Sequence, residues 1–114
     1  MSAAKSPERE LLARRIRDLL GTDRNVREVR MFGGLAFMVD NRLAVSAGIA
    51  GDLLVRVDPA SYDELIESGA APAFMGNDRP MGPGWLRVPG AHLLEDSALA
   101  DWVEIGIDSR HAQP

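Results

Sequence analysis

The 114-residue chain contains no cysteine and only two histidines, His92 and His111. The absence of cysteine excludes disulfides, thiolate catalysis and cysteine-ligated zinc or iron–sulfur centres. The longest apolar runs fall far short of the roughly 20 residues that span a bilayer. The first ten residues also lack the apolar segment of a secretion signal. We therefore expect a cytoplasmic protein with no membrane segment.

Lysine is almost absent as well, because Lys5 is the only lysine among thirteen basic residues. The net charge is −4, with an excess of cations in residues 1–30 and an excess of carboxylates in residues 31–114. A net-acidic chain lacks the electrostatic footprint of a free-standing DNA-binding protein, although a local basic patch can still act. The length predicts one domain with one core. We place this domain at residues 7–108, between flexible tails at 1–6 and 109–114.

Few residues are suited to catalysis. His92 lies close in sequence to Asp96 and Ser97, but a Ser-His-Asp site is defined by geometry, and both residues are better explained as the cap of a following helix. His111 lies in the expected tail, and the sequence has no His-x-x-x-His motif or EF-hand loop. We predict no catalytic, metal-binding or cofactor-binding residues, no cofactor, and a domain that is not an enzyme.

Residues typical of helix ends and a change in the period of apolar residues predict the helices and strands. Ser6, Pro7 and Gly21 bound a helix over 7–20, and amphipathic patterns predict two more over 59–67 and 97–108. Period-two alternation predicts strands over the ranges 29–32, 35–39, 42–47, 53–57 and 85–88. Residues 70–84 form a long connection rich in proline and glycine. The predicted class is α+β, an antiparallel sheet of about five strands with flanking helices in the order α-β-β-β-β-α-β-α.

Alternation along the strands divides their residues between two faces. One face is wholly apolar and is expected to lie under the helices; its members are Val29, Met31, Leu35, Phe37, Val39, Leu43, Val45, Ala47, Leu53, Val55, Val57, Leu86 and Val88. The other face mixes arginines with apolar groups. Its candidate interaction residues are Arg30, Phe32, Arg42, Arg56, Trp85 and Arg87.

Two interpretations of this mixed face remain open. The arginines can lay their stems on the sheet and pair with acidic side chains of the same chain or of a second subunit. Alternatively, the face binds an acidic partner or single-stranded nucleic acid, with Phe32 and Trp85 available for stacking. For Trp85 and Trp102 themselves, packing in the core is favoured over stacking on a ligand.

The paired glycines in "RMFGGLAF" (residues 30–37) raise the question of a phosphate loop. Such a loop needs a helix directly after it, so that free backbone N–H groups meet the anion. Here the sequence continues as strand and hairpin. Gly33 and Gly34 are therefore predicted to form a structural turn.

Four segments, "VREVRMFGGLAFMVDNRLAV", "DLLVRVDP", "RPMGPGWLRV" and "LADWVEIGI", together resemble the N-terminal domain of the TfoX/Sxy family. The resemblance covers about residues 8–107. It implies an α+β fold like that of type III secretion chaperones and a role in regulating bacterial competence for DNA uptake, and it supplies no catalytic residues. In the family's namesakes a C-terminal domain follows, which we do not expect here because the sequence ends at Pro114.

Three functions from different classes follow from these observations. The first is a non-enzymatic regulatory or adaptor domain that contacts another protein, or a second copy of itself, through the mixed sheet face or the 70–84 connection. The second is a nucleic-acid-binding module that uses the arginines of that face. The third is a small-molecule or enzymatic site in the 70–84 connection.

Overall fold

The computed structural model describes residues 7–21, 25–31, 33–75 and 79–109. Three α-helices are present in these ranges: α1 (Pro7–Leu20), α2 (Tyr62–Glu67) and α3 (Asp96–Ser109). The eight strands are β1 (Val26–Met31), β2 (Gly34–Val39), β3 (Arg42–Ala47), β4 (Leu53–Arg56), β5 (Ala71–Pro72), β6 (Phe74–Met75), β7 (Arg79–Pro80) and β8 (Trp85–Val88). The two expected tails lie almost wholly outside the described residues, except that α3 continues through Ser109.

The strands form a six-stranded antiparallel sheet in the order β1-β2-β3-β4-β8-β5, and β6 and β7 form a separate two-stranded ribbon. The predicted α+β fold is confirmed. The structure adds three short strands within residues 70–84, which the sequence predicted as a connection. Each of the three is two residues long, too short for alternation to reveal it.

Helices α1 and α3 cover one face of the sheet, and the hydrophobic core lies between these two helices and that face. The predicted apolar face accounts for most of the sheet's contribution: Leu35, Phe37, Val39, Val45, Ala47, Leu53, Val55, Val57, Leu86 and Val88 are all buried. Leu12 and Ile16 of α1 and Leu99 and Val103 of α3 pack against them. Burial of these side chains is the main source of stability.

A β-bulge in β3 changes the predicted faces. Met38 pairs with Leu43 but Phe37 pairs with Val45, so Ala44 is the extra residue. Because paired residues share a face, Leu43 lies beside Met38 on the uncovered side, while Ala44 is fully buried in the core. The prediction that Leu43 is a core residue was wrong, because alternation alone does not reveal a bulge.

The register of β1 also differs from the prediction. Met31 pairs with Gly34 and Arg30 pairs with Leu35, so odd-numbered residues of β1 lie beside even-numbered residues of β2. Arg30 therefore lies on the helix side of the sheet, and Val29 and Met31 lie on the other side. The predicted assignment was reversed here, because a two-residue connection shifts the parity between the strands it joins.

The two glycines of the first hairpin have different roles. Gly33 is in the turn with φ +75°, a conformation that favours glycine. Gly34 instead begins β2, and a Cβ there would lie 2.8 Å from both the Ala47 carbonyl oxygen and the Ser46 Oγ. The predicted turn thus involves Gly33 alone, while Gly34 allows β2 to approach β3 closely.

Helix α3 makes a similar close approach at the bulge. A Cβ on Gly106 would lie 2.6 Å from the Ala44 carbonyl oxygen and 2.7 Å from the Val45 Cγ1. Real Cβ atoms are essentially never found this close to another heavy atom. Glycine at position 106 therefore sets the distance between α3 and the sheet.

Helix α1 is held by polar contacts at several points. The Arg17 guanidinium donates two hydrogen bonds, of 2.6 and 2.8 Å, to the carboxylate of Glu28 in β1. These bonds hold the pKa of Glu28 below its ordinary value and raise the pKa of Arg17. Nearer the N-terminus, the buried Arg9 donates from Nη1 to the Gly33 carbonyl at 3.1 Å, which ties α1 to the first hairpin.

We predict that Gly106→Ala destabilises the domain. In an unobstructed helix this change is stabilising by about 1 kcal/mol, but here the added methyl group must displace α3 from Ala44, at a cost of about 1–3 kcal/mol. Asp101→Ala, at an exposed site of the same helix, is the control and should change stability by less than about 0.5 kcal/mol. Urea unfolding measures both, and a stabilised Gly106→Ala protein would contradict the close packing.

We also predict that Glu28 stabilises the domain only above acidic pH. Because its folded pKa is lowered, its contribution is present above the unfolded value of about 4.3 and is lost as pH falls through the folded value. Glu28→Gln should lower the melting temperature at pH 7, by an amount corresponding to less than about 1 kcal/mol, and the difference should vanish in strong acid. Exposed Glu67→Gln is the control; a Glu28 effect that persists undiminished in acid would contradict the ion pair.

Candidate functional site

The side of the sheet opposite α1 and α3, here called the open face, is only partly covered. Strand pairing places these side chains on it: Arg27, Val29, Met31, Ala36, Met38, Leu43, Ser46, Leu54, Arg56, Trp85 and Arg87. The β6–β7 ribbon covers part of this face, and the hydrogen bond from Met81 N to Ala73 O extends the ribbon's pairing. Ala36 on this face and Ala73 beside the ribbon are both buried, although neither belongs to the main core cluster.

A cleft of about 120 Å³ lies between the ribbon and the open face. Phe74 and Met81 line it from the ribbon side, and Met31 and Leu54 from the sheet. Phe74 is 51% exposed, so a large aromatic group stands at the cleft with half its surface in water. The apolar walls suit an apolar side chain or a comparably small group.

Three polar side chains also line the cleft: Ser46, Asp52 and Arg87. Ser46 is 5% exposed, and Arg87 Nη1 lies 3.7 Å from Asp52 Oδ2. Asp52 closes the β3–β4 loop, where its carbonyl accepts a 2.8 Å hydrogen bond from Gly48 N. A hydroxyl, a carboxylate and a guanidinium can orient a polar group, but among the described residues no histidine lines the cleft to activate Ser46 as a nucleophile.

A second feature of the open face is a shallow depression of about 230 Å³ lined by Arg42, Leu43, Arg56 and Trp85. The Arg56 guanidinium carbon lies 4.9 Å from the centre of the Trp85 ring, within cation–π distance. Trp85 is half-buried on the open face and not in the core, so the prediction of core packing was wrong for it. Trp102 does pack against the core, as predicted.

The structure brings together most of the candidate interaction residues. Arg42, Arg56 and Trp85 share the depression, and Arg87 lies in the cleft. The two sites are adjacent, since Arg56 pairs with Trp85 and Leu54 with Arg87 along β4 and β8. Arg30 is separated from them on the helix side, and Phe32 lies outside the described residues.

Phe74, Met81 and Asp52 were not identified from the sequence as members of this surface. Phe74 offered a signal, because it is the only aromatic residue between Tyr62 and Trp85. No pattern indicates that the ribbon folds back over the sheet, since this depends on tertiary packing.

The three residues that are close in sequence, His92, Asp96 and Ser97, do not line the cleft. The His92 side chain is exposed and its ring lies against Gly69. Asp96 is the first residue of α3 and not its cap, and its Oδ1 accepts a 3.0 Å hydrogen bond from Arg15 Nη2. Over the described ranges, no group of three or more His, Asp or Glu side chains could hold a metal ion.

A profile of the TfoX N-terminal domain family matches residues 18–109. The chain therefore belongs to this family, as its resemblance in sequence implied. No curated protein matches the chain. In the part of the chain that the structure describes, no helix is long and apolar enough to cross a membrane.

We predict that Arg56→Ala lowers stability, because it removes the cation–π contact with Trp85, worth about 0.5–2 kcal/mol. Arg42→Ala is the matched control: it removes an exposed arginine of the same depression and should change the free energy of unfolding by less than about 0.5 kcal/mol. Urea unfolding followed by tryptophan fluorescence measures both. Equal effects of the two substitutions would contradict a specific role for the Arg56–Trp85 contact.

Proposed function

We propose that this chain is a non-enzymatic regulatory or adaptor domain that binds a protein partner on its open face. The observation that supports this most is the adjacency of the ribbon cleft and the Arg56–Trp85 depression on one partly covered sheet face. Arginine, tryptophan, phenylalanine and methionine, which line these two sites, are the residue types enriched in protein interfaces. The exposed ring of Phe74 adds an apolar anchor.

The chemistry of the surface indicates the kind of partner. Arg27, Arg56 and Arg87 lie on the open face and Arg42 lines its depression, whereas Asp52 is the one carboxylate among the described residues that line either site. The face is thus locally cationic in a chain whose net charge is −4. A segment that combines acidic side chains with an apolar anchor would complement both the charge and the cleft.

Membership of the TfoX N-terminal domain family supports a regulatory role for this binding. The proposal places the partner in the transcription apparatus and the complex in the cytoplasm, as the resemblance to competence regulators implies. Control would come from recruiting or blocking the partner. It would need no chemical step on the domain itself.

Two further functions each have one observation in their favour. The stacked Arg56 and Trp85 could hold an unpaired base, which favours single-stranded nucleic acid; however, the guanidinium already occupies one face of the ring, and the chain is net acidic. The cleft of about 120 Å³ favours a small molecule. Its volume suits only a ligand of a few heavy atoms.

A pair of matched double variants tests the proposal. Phe74→Ser with Arg42→Glu changes the exposed apolar residue of the cleft and the exposed arginine that lines the depression. Leu94→Ser with Arg14→Glu makes the same chemical changes elsewhere, two residues before α3 and on α1. Affinity capture from the native cytoplasm, followed by mass spectrometry, identifies proteins that bind the wild type and the second variant but not the first.

The Kd of the purified partner is then measured for all three proteins. We expect the open-face variant to bind at least tenfold more weakly and the control variant to bind like the wild type. Equal binding by all three would contradict the proposal. Two other results would replace it: oligonucleotide binding that weakens steeply with salt, or a small molecule that co-purifies with the wild type and is lost in the open-face variant.

A further inference from the structure

The two edges of the main sheet differ in how they are protected. One edge is β5, which has two residues and contains Pro72. Short edge strands and proline are common devices against pairing with another chain. The other edge is β1, which has six residues, no proline and an unbroken register with β2. In the sheet formed by the described residues, β1 has one neighbour and so presents a regular outer edge.

Symmetry limits how β1 could pair with the β1 of a second copy. In a two-fold dimer with antiparallel strands the axis is perpendicular to the sheet, so each subunit keeps the same face on the same side. Paired residues must share a face, and the axis must therefore pass midway between one residue and the same residue of the second copy. Within Val26–Met31, centring on Glu28 or Val29 pairs five of the six residues, centring on Arg27 or Arg30 pairs three, and centring on either end residue pairs that residue alone.

Three of the four registers centred on interior residues place like charges opposite each other. Centring on Arg27, Glu28 or Arg30 brings that residue against its own copy. Centring on Val29 pairs Val29 with Val29 and pairs Glu28 with Arg30 of the partner subunit, twice by symmetry. It also pairs Arg27 with Met31 of the partner subunit, so no like charges meet.

The face of the sheet on which each β1 side chain lies is consistent with this register. Glu28 and Arg30 both lie on the helix side, and Val29 lies on the open face. The Glu28 side chain is 32% exposed and already accepts hydrogen bonds from Arg17. Its exposed part can also pair with the guanidinium of an arginine on the β1 edge of the second copy. The charge order of β1 is thus self-complementary at one register only.

We propose that β1 pairs antiparallel with β1 of a second copy of this chain, centred on Val29. The dimer would join two six-stranded sheets into one and set two open faces side by side. A partner with two binding segments would then gain avidity. The inference rests on the edge strand and is independent of what the open face binds.

Charge variants test the register. Arg30→Glu places two acidic residues opposite each other at both pairs, and Glu28→Arg places two cations there, so each variant alone should be monomeric. An equimolar mixture restores both oppositely charged pairs and should form a heterodimer. Arg27→Glu is the control, because Arg27 faces Met31 of the partner subunit, and this variant should dimerise like the wild type.

Sedimentation velocity gives the mass of each sample, and circular dichroism checks that each variant is folded. A wild type that remains monomeric at high protein concentration would overturn the proposal. So would a mixture that remains monomeric while both variants are folded, or an Arg27→Glu variant that loses the dimer.

The absence of cysteine allows an independent test. Val29→Cys places a thiol beside its own copy at the axis, at a Cβ separation of about 4.5–5.5 Å, close to disulfide range. Arg27→Cys places the two thiols four residues apart along the strands, about 13 Å. Mild oxidation should cross-link Val29→Cys dimers and not Arg27→Cys dimers, and the opposite pattern would overturn the register.

Discussion

The contact between Gly106 of α3 and the carbonyl of Ala44 is the constraint on which the two faces of the sheet depend. The bulge in β3 places Ala44 on the helix side. Because residue 106 is a glycine, the backbone of α3 packs directly against the Ala44 carbonyl. Without the bulge, strict alternation would put Leu43 in that position, and its larger side chain would hold α3 away from the sheet. The bulge instead moves Leu43 to the open face, where it lines the depression beside Arg56 and Trp85.

The position of Leu43 on the open face also links the packing of the sheet to the proposed function. One side of the sheet is packed against α1 and α3, while the part of the chain that the structure describes covers the other side only with a ribbon whose strands have two residues each. Side chains of the open face are therefore held by the rigid strands β4 and β8 but remain accessible at the cleft and the depression. Binding groups positioned by strands are more precisely held than groups on loops. The short ribbon has few backbone pairings, so it is the element best able to adjust to a partner.

The sequence is sufficient to predict the class, the helices and most of the core, because these depend on local periodicity. Helix α1 was predicted over 7–20 and β3 over 42–47, and both have these bounds. It was not sufficient to assign Arg30 and Leu43 to the correct face, since a two-residue turn and a bulge each change parity through tertiary pairing. The candidate site likewise contains residues that the sequence predicts and residues that only tertiary packing places there. Arg56 and Trp85 were identified from alternation, whereas Phe74 reaches the cleft through a ribbon that no periodicity reveals.

The central claim is that a protein partner binds the open face, and amide hydrogen exchange tests it most directly. Exchange is measured on the domain alone and with its captured partner. The account predicts slower exchange in the ribbon, at residues 73–75 and 79–82, and in the loop at 48–52 that carries Asp52, with exchange in α1 and α3 unchanged. Slowing confined to α1 or α3, with the ribbon and that loop unaffected, would contradict it.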